Sequence, residues 1–322
     1  MAVGASAGGV EALADLVRAL PEDLAVPIVV VMHLPASGTS VLPAILDRAS
    51  PLPALPIADG EALAPGRIYV GPPDHHVIVG RGELSLTHGP RENGYRPAVD
   101  VLFRTAALSY GPAAIGIVLS GTLDDGAAGL GVIKAHGGIA IVQSPDDATY
   151  AGMPQAAIDR VDVDHVCPVR EIAALLPLLA AGDPLPAIGP ALLPDPLLDV
   201  PTSEEHASGF ICPDCGGALW TVDEGGVARY RCRIGHAFSE HSLLTVQGAD
   251  VEAALWAALR SLEERAALLR RIAGRAEEAG NRKSAASFRA KAADADRQAE
   301  VIRAGVLPAP LDVGAAGGNV TS

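Results

Sequence analysis

Ser6, His33 and the adjacent pair Asp124 and Asp125 are the residues whose types and settings could do chemistry together. Ser6 lies in Gly4-Ala5-Ser6-Ala7-Gly8-Gly9, His33 in Met32-His33-Leu34-Pro35, and the aspartates in Ser120-Gly121-Thr122-Leu123-Asp124-Asp125-Gly126. An unactivated serine hydroxyl is a poor nucleophile. It needs a base within hydrogen-bond reach, and the base needs a third group to orient it. A serine, an imidazole and a carboxylate so arranged would cleave an acyl bond. A second set lies far downstream: Cys212-Pro213-Asp214-Cys215 presents two thiols, and Cys232-Arg233-Ile234-Gly235-His236 adds a third and an imidazole. Cys3His is a closed donor set of the structural zinc kind, whereas a catalytic site keeps a position open. His206 and His241 are alternative fourth donors.

Elements must bring these groups together. Each of the three N-terminal motifs follows an apolar, strand-like run. Strands are expected at 27–32, 67–70, 76–79, 84–87, 114–119, 139–143 and 164–167, and helices at 10–20, 40–49, 98–108, 127–135, 153–160 and 170–179. Val10, Leu13, Leu16, Val17 and Leu20 fall on one helical stripe. The alternation predicts a doubly wound α/β domain over residues 1–182 around a mostly parallel sheet, with a small antiparallel insertion at 67–87. In such a sheet, loops at the carboxyl ends of adjacent strands meet at one crevice, so Ser6 and His33 could face each other. Six prolines between 184 and 201 mark a linker, 183–207. Residues 208–245 form a zinc ribbon that the metal itself should largely fold, being too small to bury much core. Leu255, Leu259, Leu262, Ala266, Leu269, Ala273 and Ala276 repeat at coiled-coil spacing, Gly280-Asn281 interrupts, and Phe288, Ala292, Ala295, Ala299 and Ile302 line a second helix. A helical hairpin over 250–304 is expected, then a flexible tail, 305–322.

The glycine-rich turn at Ser6 has one competing explanation, a nucleotide-phosphate loop. The glycines stand as Gly4-x3-Gly8-Gly9 rather than G-x-G-x-x-G, His33 ends the second strand where a ribose-binding carboxylate would stand, and no Gly-Lys-Ser/Thr follows. Of Asp124 and Asp125, one could cap the following helix while the other orients His33. His75 and His76 suit a surface loop or a functional role equally. Arg96 and Asp100 could pair or shape a groove. Met153-Pro154 suits a groove wall or a helix start. Cys167 reads as a buried inert thiol. Arg229, Arg231 and Arg233 read as a solvated stripe on one strand of the ribbon.

Residues 1–182 resemble the catalytic domain of the chemotaxis receptor methylesterases, the CheB family. The matching stretches are Gly4-Ala5-Ser6-Ala7-Gly8-Gly9, His33-x-Pro35, Gly71-Pro72-Pro73-Asp74-His75-His76, Arg96-Pro97-Ala98-Val99-Asp100-Val101-Leu102-Phe103, Ser120-Gly121 through Gly126-Ala127-Ala128-Gly129, and Ala151-Gly152-Met153-Pro154. The resemblance implies Ser6, His33 and Asp125 as nucleophile, base and orienting acid. It implies hydrolysis of glutamate methyl esters on a methylated chemoreceptor or related signalling protein, with methanol released and no cofactor needed for catalysis. Backbone N–H groups of Ala7 or Thr122 would hold the oxyanion, and Met153 would border the substrate groove. Glutamine deamidation, or a non-catalytic adaptor, are the alternatives. The chain departs from the family pattern in having no receiver domain ahead of the Ser6 turn, only Met1-Ala2-Val3 as the start of a first strand, and Thr122-Leu123 where the family carries Met-Gly. The last predicts a less proficient site, because leucine resists a glycine-only conformation.

Composition sets outer limits. The formal net charge of -14 argues against general nucleic-acid binding, which rests on basic side chains neutralising phosphates. With 49% hydrophobic but 3% aromatic residues, the cores should be aliphatic. No secretory signal and no membrane-length apolar run is read, and cysteines clustered with a histidine suit a reducing compartment, so a cytoplasmic protein without membrane insertion is expected.

Overall fold

The computed structural model describes residues 1–180 and 207–306. The expected linker except its last residue, Ala207, and nearly all of the expected tail lie outside them. Met1–Leu244 and Thr245–Ser322 form two compact units.

The first unit is built on a seven-stranded sheet of order β10-β9-β8-β1-β2-β5-β3, every pairing parallel. Its strands are β1 (Ala2–Ala5), β2 (Ile28–Met32), β3 (Ala54–Pro56), β5 (Ile68–Val70), β8 (Ile115–Val118), β9 (Ile139–Gln143) and β10 (His165–Cys167). Five of the seven coincide with expected strands to within two residues. The sequence reading missed β3, a three-residue strand that includes Pro56. Proline gives up a ladder donor and so belongs at an edge, and β3 is the edge strand. The short β1 is wholly buried and pairs with β2 on one side and β8 on the other.

Continuous apolar runs such as Ile28–Met32 mark strands covered on both faces. One face packs under α1 (Gly9–Arg18), α2 (Leu42–Ala49) and α6 (Val169–Ala180), through Leu13, Leu16, Val17, Leu42, Leu46 and Ile172. The other packs under α3 (Val99–Tyr110), α4 (Ala127–Ala135) and α5 (Gly152–Arg160), through Leu102, Phe103, Leu130, Ile133 and Met153. This is the doubly wound arrangement the alternation predicts. The antiparallel insertion is a three-stranded sheet, β4 (Glu61–Ala62), β7 (Glu83–Thr87) and β6 (His76–Val79). Residues 67–70, expected as part of it, form β5 of the main sheet instead.

The chain re-enters at a four-stranded antiparallel sheet, β11 (Ala207–Ile211), β12 (Ala218–Glu224), β13 (Val227–Cys232) and β14 (Ala237–Phe238). This Cys/His module belongs to the first unit and packs on the α3/α4 side. Its β12–β13 hairpin tip touches α4 backbone to backbone: a Cβ built on Gly131 would lie 2.5 Å from the Gly225 carbonyl oxygen. Arg229 and Arg231, expected as a solvated stripe, are 1% and 2% exposed. The reason is charge. Arg104, Arg229 and Arg231 enclose Glu92, with Glu224 and Asp100 completing a cluster of three guanidiniums and three carboxylates. Arg233 is exposed, as expected.

Helix α7 (Glu240–Glu278) begins in the first unit and continues into the second. There α7 and α8 (Arg282–Val306) are antiparallel, with ion pairs Glu277–Arg289, Arg270–Asp296 and Glu263–Arg303 advancing seven residues at a time in opposite directions. The expected seam positions on both helices are buried or half-buried. Among the described residues no helix is long and apolar enough to cross a membrane.

Candidate active site

Strands β8, β1 and β2 are neighbours, and the loops after all three converge at the carboxyl edge of the sheet. Ser6 follows β1, His33 follows β2, and Ser120–Gly126 follows β8. The turn after Ser6 closes with the Gly9 N–H donating to the Ser6 carbonyl (2.9 Å), and the Ser6 N–H donates to the Ser120 carbonyl (2.9 Å). Gly8 takes φ 69°, and a Cβ there would sit 2.7 Å from the Ser120 hydroxyl. Only glycine fits a left-handed turn this tight.

His33 Nδ1 lies 3.0 Å from the Ser6 hydroxyl oxygen, and Nε2 lies 2.7 Å from Asp125 Oδ2. A carboxylate only accepts, so the hydrogen bond to Asp125 places the proton on Nε2 and leaves the Nδ1 lone pair facing Ser6. The His33 and Asp125 side chains are 5% and 1% exposed. Tyr95 stacks on the imidazole, with ring centroids 3.7 Å apart and planes 5° from parallel.

The two adjacent aspartates have different partners. Asp125 accepts from His33, from the Val99 N–H (2.7 Å), from the Asp100 N–H (3.1 Å) and from Asn93 Nδ2 (2.9 Å). Neither aspartate caps the helix that follows them. Asp125 caps α3, whose own flanking residue supplies no side-chain cap. Asp100 on α3 caps α4 in return, accepting from Gly126 N–H (3.0 Å) and Gly129 N–H (2.7 Å). Burial opposes ionisation of Asp125, but the His33 hydrogen bond and charge and the Val99 N–H outweigh it and hold the carboxyl below the usual range. Asp124 turns to the other side and accepts from the Ser239 and Ser242 hydroxyls at 2.6 and 3.2 Å.

The other singled-out residues are placed as follows. The N–H groups of Ser6, Gly121 and Met153 donate to the carbonyls of Ser120, Tyr150 and Gly121. Among the described residues, no acceptor takes the N–H of Ala7 or Thr122, the residues that follow Ser6 and Gly121 in their loops. Met153 is fully buried, its sulfur against Gly121, so it underlies the crevice floor instead of lining an open wall. Leu123 adopts φ 62°, the left-handed conformation expected to exclude it. Gly152 lies close against its backbone: a Cβ there would come 2.9 Å from the Leu123 nitrogen. Arg96 pairs with Asp74 (2.7 Å), not Asp100. His76 is buried, bonded to the Pro90 carbonyl and the Ala98 N–H, while His75 meets the Pro73 carbonyl. Cys167 is only half-buried on the edge strand β10, and burial raises its thiol pKa.

Sequence reading missed Asn93, Tyr95 and Ser120. Asn93-Gly94 is a legible turn signal, but nothing in it announces a stack on a histidine 62 positions earlier. Ser120 accepts from the Tyr150 N–H (3.0 Å) and donates to the Ala7 carbonyl (2.8 Å), tying the loops after β1, β8 and β9 together.

The CheB methylesterase family model matches residues 1–176. This chain belongs to the CheB methylesterase family. A Leptospira interrogans protein provisionally named protein-glutamate methylesterase/protein-glutamine glutaminase is 37% identical over 174 residues, which are 54% of this chain and 90% of that protein. A Xanthomonas campestris protein-glutamate methylesterase/protein-glutamine glutaminase is 38% identical over 185 residues, covering 56% of this chain and 51% of the relative. The CheB methylesterase catalytic domain of Thermotoga maritima, solved by crystallography, superposes with a TM-score of 0.53 at 33% identity, covering 55% of this chain and 96% of that one. The CheB-like part of the chain thus ends before the Cys/His module.

In that module the donor atoms of Cys212, Cys215, Cys232 and His236 all lie within 4.8 Å of one another, a possible metal-binding cluster. The Cys215 and Cys232 sulfurs are 3.7 Å apart, and Cys232 Sγ is 3.5 Å from His236 Nδ1. The remaining ring nitrogen of His236 faces Asp214 at 3.8 Å. His241, one alternative donor, meets Asp124 and Arg160 instead. His206, the other, is outside the described residues.

Proposed function

We propose that this CheB-family chain is a serine-type protein-glutamate methylesterase acting on methylated chemoreceptors or related signalling proteins in the cytoplasm. The observation that carries the reading is the unbroken hydroxyl–imidazole–carboxylate chain from Ser6 through His33 to Asp125. The Ser6 hydroxyl attacks the ester carbonyl carbon as its proton passes to His33 Nδ1. Asp125 stabilises the resulting imidazolium without taking the proton. The Ala7 and Thr122 N–H groups, free of internal acceptors, hold the tetrahedral oxyanion. On collapse the bond to the methoxy oxygen breaks and His33 returns its proton, giving methanol. A water activated by His33 then releases glutamate and restores Ser6. A glutamine side chain would form the same acyl-enzyme with ammonia as leaving group, and the relatives' names pair the two activities. An adaptor role would leave this polar alignment without purpose.

The test is methanol release from a methylated receptor fragment. Ser6→Ala should abolish release and labelling by a serine-directed fluorophosphonate while circular dichroism stays unchanged. Near-full activity in that variant would remove Ser6 as nucleophile.

The Cys/His cluster fits a structural zinc. Four donors held tetrahedrally at about 2.3 Å for sulfur and about 2.1 Å for nitrogen stand roughly 3.5–3.8 Å apart, the spacing of the Cys215–Cys232 and Cys232–His236 pairs. A carboxylate behind a ligating imidazole is the usual outer-shell partner, the position Asp214 occupies. We assign residues 208–245 as a zinc ribbon following a linker, 183–207, and the α7–α8 hairpin as a separate docking or regulatory element. Elemental analysis in reducing buffer should find about one zinc per chain; a metal-free, folded protein would remove the assignment.

A further inference from the structure

His33 is fixed by more than Ser6 and Asp125. One face of its ring is covered by Tyr95. Tyr95 ends a tight turn closed by reciprocal bonds, Glu92 N–H to the Tyr95 carbonyl (3.2 Å) and Tyr95 N–H to the Glu92 carbonyl (2.9 Å). The Asn93 amide in this turn donates to both Asp125 Oδ1 (2.9 Å) and Asp100 Oδ2 (3.0 Å). The same four residues therefore supply the plate against the imidazole and a hydrogen bond to its carboxylate.

The turn is fastened largely from the Cys/His module. Asn93 N–H donates to the Ala237 carbonyl at 2.7 Å, and Ala237 N–H returns a bond to the Arg91 carbonyl at 3.3 Å. Ser239 N–H donates to Asn93 Oδ1 at 2.9 Å. Glu92 takes Arg229 and Arg231 of β13 as ion-pair partners, at 3.3 and 3.2 Å. Ala237 is adjacent to His236, and Arg231 to Cys232, so the fastening residues are the chain neighbours of two candidate metal donors.

We propose that the Cys/His module is a positioning element of the active site: it holds the Glu92–Tyr95 turn, and through Tyr95 and Asn93 the turn sets the His33 ring between Ser6 and Asp125. The proposal rests on the Ser6–His33–Asp125 reading. Loss of the metal frees the strand ends carrying Arg231 and Ala237. The turn then loses its outer fastenings, and the imidazole gains rotational freedom about its own axis. That motion breaks both of its hydrogen bonds at once, while the surface that meets the substrate is left in place. The signature is a fall in kcat with little change in KM.

The experiment uses the full chain, zinc-loaded and then treated with a chelator, alongside Gly131→Ala, Tyr95→Ala and Tyr95→Phe. Methanol release gives kcat and KM, and imidazole NMR of 15N-labelled protein reads the His33 Nε2 proton. Metal removal should lower kcat by about tenfold or more, on the scale expected when a reacting group is misplaced by an ångström, and should broaden or abolish the Nε2–H signal. Gly131→Ala, whose new methyl group meets the Gly225 backbone and so presses the hairpin tip off α4, should move both readouts the same way. Tyr95→Ala should reproduce the loss, and Tyr95→Phe, which keeps the stack, should restore it. If chelation unfolds the chain, the Gly131 and Tyr95 variants decide. The proposal is overturned if the module is opened, as read by hydrogen exchange over 207–238, while kcat and the Nε2–H signal persist. It is equally overturned if Tyr95→Ala matches wild type. Failure of the underlying reading looks different: loaded wild type would release no methanol, or Ser6→Ala would release it normally, while the His33 signal still responded to the metal.

Discussion

Replacing Asp125 by asparagine should damage stability and turnover together, because one carboxylate serves two structures. Its two oxygens accept four hydrogen bonds, two of them from the backbone N–H groups of Val99 and Asp100 in the first turn of α3. An asparagine of the same shape keeps one acceptor oxygen and presents an NH2 where the other stood. In either orientation that NH2 faces one of these backbone donors, so a buried N–H is orphaned at a cost of about 1–3 kcal/mol. Loss of the negative charge at the positive end of α3 adds about 0.3–1 kcal/mol. The expected destabilisation is therefore about 1–4 kcal/mol. Turnover should fall on the order of 10⁴-fold, the scale of losing the group that fixes the imidazole tautomer. Urea unfolding by circular dichroism gives the first quantity and methanol release the second; amide exchange at Val99 and Asp100 locates the lost cap. Asp125→Asn with wild-type unfolding and wild-type exchange in α3 would refute the capping argument. A destabilised variant that still turns over within about tenfold of wild type would refute the orienting role.

Two further perturbations have signs fixed by the structure. Leu123→Gly should stabilise the protein by up to about 1.5 kcal/mol, since the strain relieved at a left-handed non-glycine residue, about 1–2 kcal/mol, is at least the entropy cost of glycine, about 0.5–1 kcal/mol; a lower urea midpoint would contradict this. Burial works against ionisation of Glu92, but the charges of Arg104, Arg231 and Arg229 prevail and depress its pKa. On acidification the unfolded chain therefore takes up this proton first, so the stabilisation is present at neutral pH and is lost as pH falls through the ordinary glutamate range and below. Glu92→Gln should cost about 3–5 kcal/mol at neutral pH by leaving buried guanidiniums unpaired, and the gap from wild type should narrow on acidification; a gap independent of pH would show that Glu92 is not the linked group.

The α/β half was legible because its signals are local and repeated. Apolar runs gave the strands, the stripe through Leu13, Leu16 and Val17 gave α1, and strand-end placement of Ser6 and His33 implied a shared crevice. Leu123 defeated the conformational rule, and its backbone lies against Gly152 at the start of α5, a tertiary contact that a propensity argument does not see. Local pattern left Asp124 and Asp125 open and only the family resemblance pointed to Asp125, since the choice depends on which way two adjacent side chains point once α3 lies alongside α4. The arginines of β13 were misread for a related reason. On an acidic chain a short basic stripe looks solvated, and nothing local says that Glu92, 137 residues before Arg229, waits beneath it.

The reciprocal capping of α3 and α4 explains how a carboxylate this buried stays charged. An isolated ionised carboxyl in an apolar interior would protonate. Asp125 sits at the N-terminus of α3 and Asp100 at that of α4, each accepting from the other helix's first-turn N–H groups, where the backbone dipoles favour negative charge. The helices can reach this arrangement only by crossing closely: a Cβ on Gly129 would come within 2.8 Å of the Asp100 carbonyl. A glycine inside α4, costly for a helix taken alone, is thus required by the geometry that keeps Asp125 ionised beside His33. The same logic extends outward. Burial pushes the Asp100 carboxyl up to about 7, against the pull of the Arg229 guanidinium and with the push of the nearby Asp125 charge, so the module's arginine, the α3–α4 crossing and the acid beside His33 form one electrostatic unit, and a change in any member should register at His33.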